Sequence, residues 1–69
     1  MEHVKFDSTA IDEVFYSNRR RTLLMRYRKG GLYKYLNVSR QIFDELVNAD
    51  SKGIYWNSMK AQFECIHLE

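Results

Sequence analysis

The sequence predicts an α+β domain: a three-stranded antiparallel meander followed by two helices packed on one face. Three observations carry that prediction. Two alternating runs, Leu23 to Arg28 and Leu32 to Leu36, meet at Gly30 and Gly31. A third, Ile11 to Ser17, ends at the polar stretch Asn18 to Arg21. Beyond Ser39 the apolar residues recur at spacings of three and four instead. Period two marks strands with one buried face, and the longer period marks amphipathic helices.

Residues 1–9 have no clear period and read as a loosely held lead-in, with Ser8 and Thr9 as turn or capping hydroxyls ahead of Ile11. In the first strand Val14 and Tyr16 alternate with Glu13 and Phe15. Pairing Ser17 with Thr22 closes a four-residue loop, Asn18, Arg19, Arg20 and Arg21, and sets Tyr16 opposite Leu23 and Val14 opposite Met25. In the next hairpin Gly30 and Gly31 supply positive φ. A three-residue loop of Lys29, Gly30 and Gly31 would pair Arg28 with Leu32, Tyr27 with Tyr33 and Met25 with Tyr35. The inner face then carries Val14, Tyr16, Leu23, Met25, Tyr27, Tyr33 and Tyr35. A slip of one residue would put both later tyrosines among Arg26 and Arg28, so the pattern selects this face.

Ser39 is a good N-cap, and Val38 before it can staple against Phe43. Ile42, Phe43, Leu46 and Val47 form the apolar face of a helix ending near Ala49 or Asp50, with Gly53 as the expected breaker. Tyr55, Met59, Phe63 and Ile66 then make one stripe, which predicts a second helix over Ile54 to Ile66. Trp56 lies beside that stripe, as a wedge between helix and sheet or as a recognition aromatic. Burial should centre on Val14, Tyr16, Leu23, Met25, Tyr27 and Tyr35 of the sheet with Phe43, Leu46, Val47, Met59 and Phe63.

At 69 residues a single core is marginal, so dimerisation or a bound partner would help it. Cys65 is the sole cysteine, which excludes an intrachain disulfide and a thiolate zinc cluster and fits a reducing cytoplasm. Met1 to Phe6 is charged, and the longest aliphatic run is Leu23, Leu24, Met25, so nothing targets or spans a membrane. Leu68 and Glu69 could be a vector-derived remnant and receive no functional weight.

Catalysis is not expected. Cys65 and His67 are two apart, on different faces of a helix, and His3 belongs to the lead-in. There is no metal-ligand spacing, no CxxC, no P-loop and no GxGxxG, so neither a metal nor a cofactor is implied. Asp12-Glu13 and Asp44-Glu45 are adjacent pairs whose side chains diverge, unlike paired catalytic carboxylates.

The net charge of +2 hides a segregation. Asn18 to Arg40 holds eight bases and no acid, while the rest of the chain holds three bases and nine acids. One pole of the molecule should therefore attract phosphates, although exposed loops and strand faces are often basic without a partner. Two binding roles follow. A nucleic-acid module, for RNA, would use Arg19, Arg20, Arg21, Arg26, Arg28 and Lys34 on phosphates. A protein-interaction or homodimerisation module would use Phe15, Leu24, Leu32 and Leu36 on the sheet face that the helices leave open.

The order and spacing of Ser8, Ile11, Val14, Tyr16, Leu23, Met25, Tyr27, Gly30, Tyr33-Lys34-Tyr35, Val38, Ser51-Lys52-Gly53 and Tyr55-Trp56-Asn57 resemble the KTSC domain family. That family takes its name from a segment at the C-terminus of some lysyl-tRNA synthetases, and also occurs as small free-standing bacterial or phage proteins. Its hallmark is a central Tyr-x-Tyr, here Tyr33 and Tyr35. The resemblance implies a binding domain without assigned activity, with RNA as the partner that the synthetase context suggests. Arg19, Arg20 and Arg21 make the loop after Tyr16 more basic than the family pattern. From the alternation alone, Tyr33 and Tyr35 are core residues with hydroxyls at a rim, or a stacking platform if the helices leave them uncovered.

Overall fold

The computed structural model describes residues 1–69. Its chain order is β1 (Glu2–Lys5), β2 (Ile11–Ser17), β3 (Thr22–Tyr27), β4 (Leu32–Tyr35), α1 (Arg40–Asn48), α2 (Lys52–Met59), a 3-10 turn (Lys60–Gln62) and β5 (Cys65–His67). The α+β class and the two helices agree with the sequence. The sheet, however, has five strands in the order β1-β2-β3-β4-β5, all antiparallel, rather than three.

Both additional strands are edges. β1 replaces the expected loose lead-in: Val4 pairs with Val14 and His3 with Phe15, and Phe6 beyond it is buried. Only Val4 of its four residues carries an aliphatic side chain, and charged edges of this kind hide the period while discouraging aggregation. β5 replaces the C-terminal part of the expected second helix. The free edge of β4 needs partners for its N–H and C=O groups, and Tyr33 pairs with His67, Lys34 with Ile66 and Tyr35 with Cys65. The pairing runs on at both ends, with the Leu36 N–H on the Glu64 carbonyl at 3.0 Å and the Leu32 N–H on that of Glu69 at 3.0 Å. Ile66 therefore leaves the helical stripe and sits exposed on the sheet.

The β2–β3 hairpin has the expected register, with Ser17 opposite Thr22, Tyr16 opposite Leu23 and Val14 opposite Met25. The β3–β4 register differs by two residues: Arg26 faces Leu32, Met25 faces Tyr33 and Leu23 faces Tyr35. The Arg28 N–H is taken by the Ala10 carbonyl at 2.9 Å, so Arg28 cannot close the hairpin. The reversal instead spans Tyr27 to Gly31, with the Tyr27 N–H on the Gly31 carbonyl and both glycines at positive φ. A shift of two preserves side-chain parity, so the inner face is still the expected one.

Ser39 caps α1 through its side chain on the Ile42 N–H at 3.2 Å, with Val38 and Phe43 both buried beside it. Ser51 caps α2 in the same way, so Gly53 lies inside the helix and does not break it. A Cβ built on Gly53 would stand 2.8 Å from the Ala10 Cβ, which shows how closely α2 approaches the β1–β2 connection. Trp56, not Tyr55, is the buried residue of α2. It packs edge-on against Tyr35 and parallel to Phe63, joining a core of eleven residues that includes Ile11, Val14, Tyr16, Leu23, Met25 and Leu46. Val47, Met59 and Phe63 are only half-buried at its margin, as are Tyr27 and Tyr33. No helix is long and apolar enough to cross a membrane.

Candidate nucleic-acid interface

Folding undoes part of the charge segregation seen along the chain. Arg26 meets Glu13 at 3.3 Å and Glu69 at 3.5 Å, Arg28 meets Asp12 at 3.3 Å, and Arg40 is clamped between Glu2 and Asp44. Acids from β1, β2, α1 and the C-terminus thus neutralise three of the eight bases. Arg28 is further committed, because its guanidinium donates to the Ser8 and Phe6 carbonyls, each at 2.8 Å. It ties the hairpin to the β1–β2 connection, so its expected role on phosphates gives way to a structural one.

Arg19, Arg20, Arg21 and Lys34 have no carboxylate partner. The three arginines are exposed on the β2–β3 loop, whose base is firmly held. The Arg20 N–H bonds the Ser17 hydroxyl at 3.2 Å, the Thr22 hydroxyl donates to the Arg20 carbonyl at 3.1 Å, and the Val38 N–H donates to the Arg21 carbonyl at 2.8 Å. Arg21 takes φ of 53°, the left-handed turn that returns the chain into β3. Fixed backbone under free guanidiniums suits a contact whose targets are charges rather than a shaped pocket.

The loop opens onto the helix-free face of the sheet. There a groove of about 540 Å³ is lined by Met1, Ser17, Arg20, Thr22, Leu24, Lys34 and Leu36. Leucines and Lys34, which the alternation puts on one face of the sheet, meet the loop residue Arg20 in this groove. Phe15, also on that face, is half-covered because His3 stacks on it at 4.4 Å between centroids. His3 is thus held in β1 and not mobile. Its ring also contacts Glu13 at 2.7 Å, and that hydrogen bond holds the Glu13 carboxyl below its ordinary pKa. Leu32 sits at the far end of the face, opposite Arg26 and hydrogen-bonded through its backbone to Leu68 and Glu69.

A second concavity lies on the helix side, at the opposite end of β3, and sequence reasoning did not assemble it. Thr9, Ala10, Tyr27, Lys29, Gly30, Tyr33, Tyr35, Lys60, Ala61, Phe63 and Cys65 line a cleft of about 840 Å³. Tyr35 is buried and Tyr33 half-buried, so the Tyr-x-Tyr pair divides between core and cleft wall. Tyr33 stacks on His67 at 4.3 Å and meets Tyr27 edge-on at 5.3 Å. The Tyr27 and Tyr35 hydroxyls lie 2.7 Å apart, and burial pushes the pKa of both phenols up. The one legible signal was the alternation of Tyr27, Tyr33 and Tyr35. Lys60 and Phe63 could not be added while that segment read as a continuous helix.

Of the remaining family positions, Tyr55 has its pKa raised to about 12 by burial, together with the hydrogen bond that it donates to Glu45 at 2.7 Å. Asn57 is exposed on α2. Cys65 and His67 share a face of β5, contrary to the helical expectation, but strand residues two apart stand roughly 6–7 Å from each other. His67 Nε2 is engaged by the Glu69 carbonyl at 2.6 Å. No three His, Cys, Asp or Glu side chains gather in a way that could hold a metal ion.

Comparison with known proteins agrees with this architecture. The profile of the KTSC domain matches residues 7–61. A protein of Tsukamurella paurometabola is 32% identical over 63 residues, covering 90% of this chain and 94% of its own. The lysine–tRNA ligase of Trichormus variabilis is 34% identical over 62 residues, which are 88% of this chain but 11% of the ligase. The crystal structure of a KTSC domain protein from Yersinia pestis superposes with a TM-score of 0.92 at 26% identity, over 99% of this chain and 97% of that one. The five-stranded sheet with two helices inserted before its last strand is thus shared with a solved relative, and the chain belongs to the KTSC domain family.

Proposed function

We propose that this chain is a small non-enzymatic binding module, bacterial or phage-encoded and cytoplasmic, that holds RNA through the β2–β3 loop and the adjoining groove. Arg19, Arg20 and Arg21 would contact phosphates, with Lys34 extending the track along the sheet. The observation that carries the reading is the selective neutralisation of charge. Arg26, Arg28 and Arg40 are each paired with carboxylates, whereas the loop arginines and Lys34 are left unpaired around one groove. The presence of a similar segment in a lysine–tRNA ligase supports an RNA partner.

Labelled single-stranded RNA, followed by fluorescence anisotropy across a salt series, tests this. Three to four phosphate contacts predict a slope of log K against log salt of about −2 to −3, from roughly −0.7 per contact for single strands. Replacing all three arginines by serine should flatten that slope by about 2. An unchanged slope in the variant would refute the assignment.

A second reading rests on the leucines of the same groove. Leu24 and Leu36, with exposed Ile66 and half-buried Phe15, give the open face an apolar stripe that no helix covers. Under that reading the face receives a protein partner or a second copy. It predicts a mass above 8.3 kDa in solution that falls on Leu24→Glu and is insensitive to salt.

A further inference from the structure

We propose that the aromatic cleft between the β3–β4 hairpin and the turn after α2 binds a planar heteroaromatic anion of the nucleotide type, a ring with an acceptor edge that carries a phosphate. The proposal does not depend on the loop. Arg19 to Arg21 lie at the other end of β3, a strand of six residues and roughly 20 Å.

Size and walls come first. A volume of about 840 Å³ is ample for one nucleotide and falls within the range of small-ligand sites. The aromatic walls are already oriented. Tyr33 is braced by His67, and Phe63 lies parallel to Trp56 at 5.5 Å. Rings held by neighbours lose little freedom when a base stacks on them.

The floor is polar and has a donor to spare. Tyr27 and Tyr35 supply two hydroxyl hydrogens, and their mutual contact uses one. The fully buried Trp56 indole lies behind these hydroxyls, outside the cleft lining, and its N–H is directed at them without a well-formed hydrogen bond. One hydroxyl hydrogen is therefore left over at the cleft, which favours a ligand edge bearing a carbonyl or ring-nitrogen acceptor. The raised pKa values keep both phenols protonated, as donors.

The rim sets the charge. Lys29 and Lys60 stand at the cleft, neither in an ion pair, and no lining residue is acidic. Lys60 already leans over the Tyr27 ring at 6.0 Å. Acceptor edge inward, flat faces on tyrosine and phenylalanine and an anion at the lysines together describe a nucleoside phosphate, whether free or as one residue of a single strand.

The single tryptophan makes the test direct, because its indole N–H gives one NMR resonance immediately behind the tyrosine hydroxyls of the floor. Uridine monophosphate, uridine, inorganic phosphate and a short oligouridylate are titrated into the ¹⁵N-labelled chain. Uridine monophosphate should move the Trp56 indole resonance and the Gly30, Tyr33 and Ala61 amides. Uridine should bind roughly tenfold more weakly, and Lys29→Ser with Lys60→Ser should erase that difference. Saturation by uridine monophosphate as readily as by the oligomer identifies a free nucleotide as sufficient. Saturation only by the oligomer identifies a strand residue. Either source supports the site. An indole resonance unmoved by both, or a full set of shifts produced by inorganic phosphate alone, overturns it. Loss of the response when Arg19, Arg20 and Arg21 are replaced by serine would place the ligand on the loop and would overturn it too.

Discussion

Replacing Gly53 by alanine sets two effects of opposite sign against each other, and the geometry decides between them. Alanine is favoured over glycine within a helix by up to about 1 kcal/mol, and less in a first turn such as this one. Against that, the new Cβ would stand 2.8 Å from the Ala10 Cβ. Carbon atoms pack comfortably at about 3.5–4.0 Å, so α2 and the β1–β2 connection would have to part by roughly 1 Å. Neither atom is the end of a flexible side chain, so backbone must move, and overpacking of this kind costs about 1–3 kcal/mol. The balance is a net loss of about 1–2 kcal/mol, which in a domain of this size lowers Tm by about 7–14 °C. Thermal and urea melts followed by circular dichroism measure it. Ala10→Gly in the same chain removes the clash, so the double variant should recover most of the loss. A rise in Tm for Gly53→Ala, or no recovery in the double variant, would refute the close approach and with it the placement of α2 against one wall of the aromatic cleft.

Arg28→Ala should lower stability by about 1–2 kcal/mol, reduced by the partial exposure of the side chain, because it removes two charge-assisted hydrogen bonds to backbone carbonyls. It should leave the salt slope of RNA binding unaltered, which titration of the folded variant checks. At high pH the tyrosines govern. Tyr16, Tyr27, Tyr35 and Tyr55 have folded pKa values above the ordinary 10.0, chiefly through burial. A raised folded pKa contributes stability that is complete below the unfolded value and is lost as pH climbs through the folded one. Stability should therefore hold to about pH 9–10 and decline above it, Tyr55 ionising near 12, as urea melts and phenolate absorbance would show. Constant stability from pH 9 to pH 12 would contradict this.

What the sequence revealed, and what it hid, follows from where each element's partners lie. The β2–β3 register could be read because Ser17 and Thr22 flank a short polar loop and both strands alternate cleanly. In the next hairpin the glycines located the reversal, but the Ala10 carbonyl that withdraws Arg28 from the ladder is eighteen residues away and leaves no local trace. Parity survived that error, and so did the inner face. β1 and β5 are short edges of mostly polar residues, held by the strands they join rather than by their own pattern. The basic loop was visible as Arg19-Arg20-Arg21, but its distinction from Arg26 and Arg28 required knowing which carboxylates fold back onto the latter. The aromatic cleft was hidden for a related reason. It is built from three separate segments, and two of them touch only because Cys65 to His67 form a strand.

On the proposed function, the unpaired cations of the β2–β3 loop and β4 form one RNA-binding surface. A backbone amide NMR titration with a short single-stranded RNA, at low and at moderate salt, tests it most directly. Shifts should concentrate at Asn18 to Thr22, Lys34 and Leu36 and shrink as salt rises, with Arg28 and α1 unmoved. Shifts absent from that loop at low salt, or unaffected by salt, would contradict it.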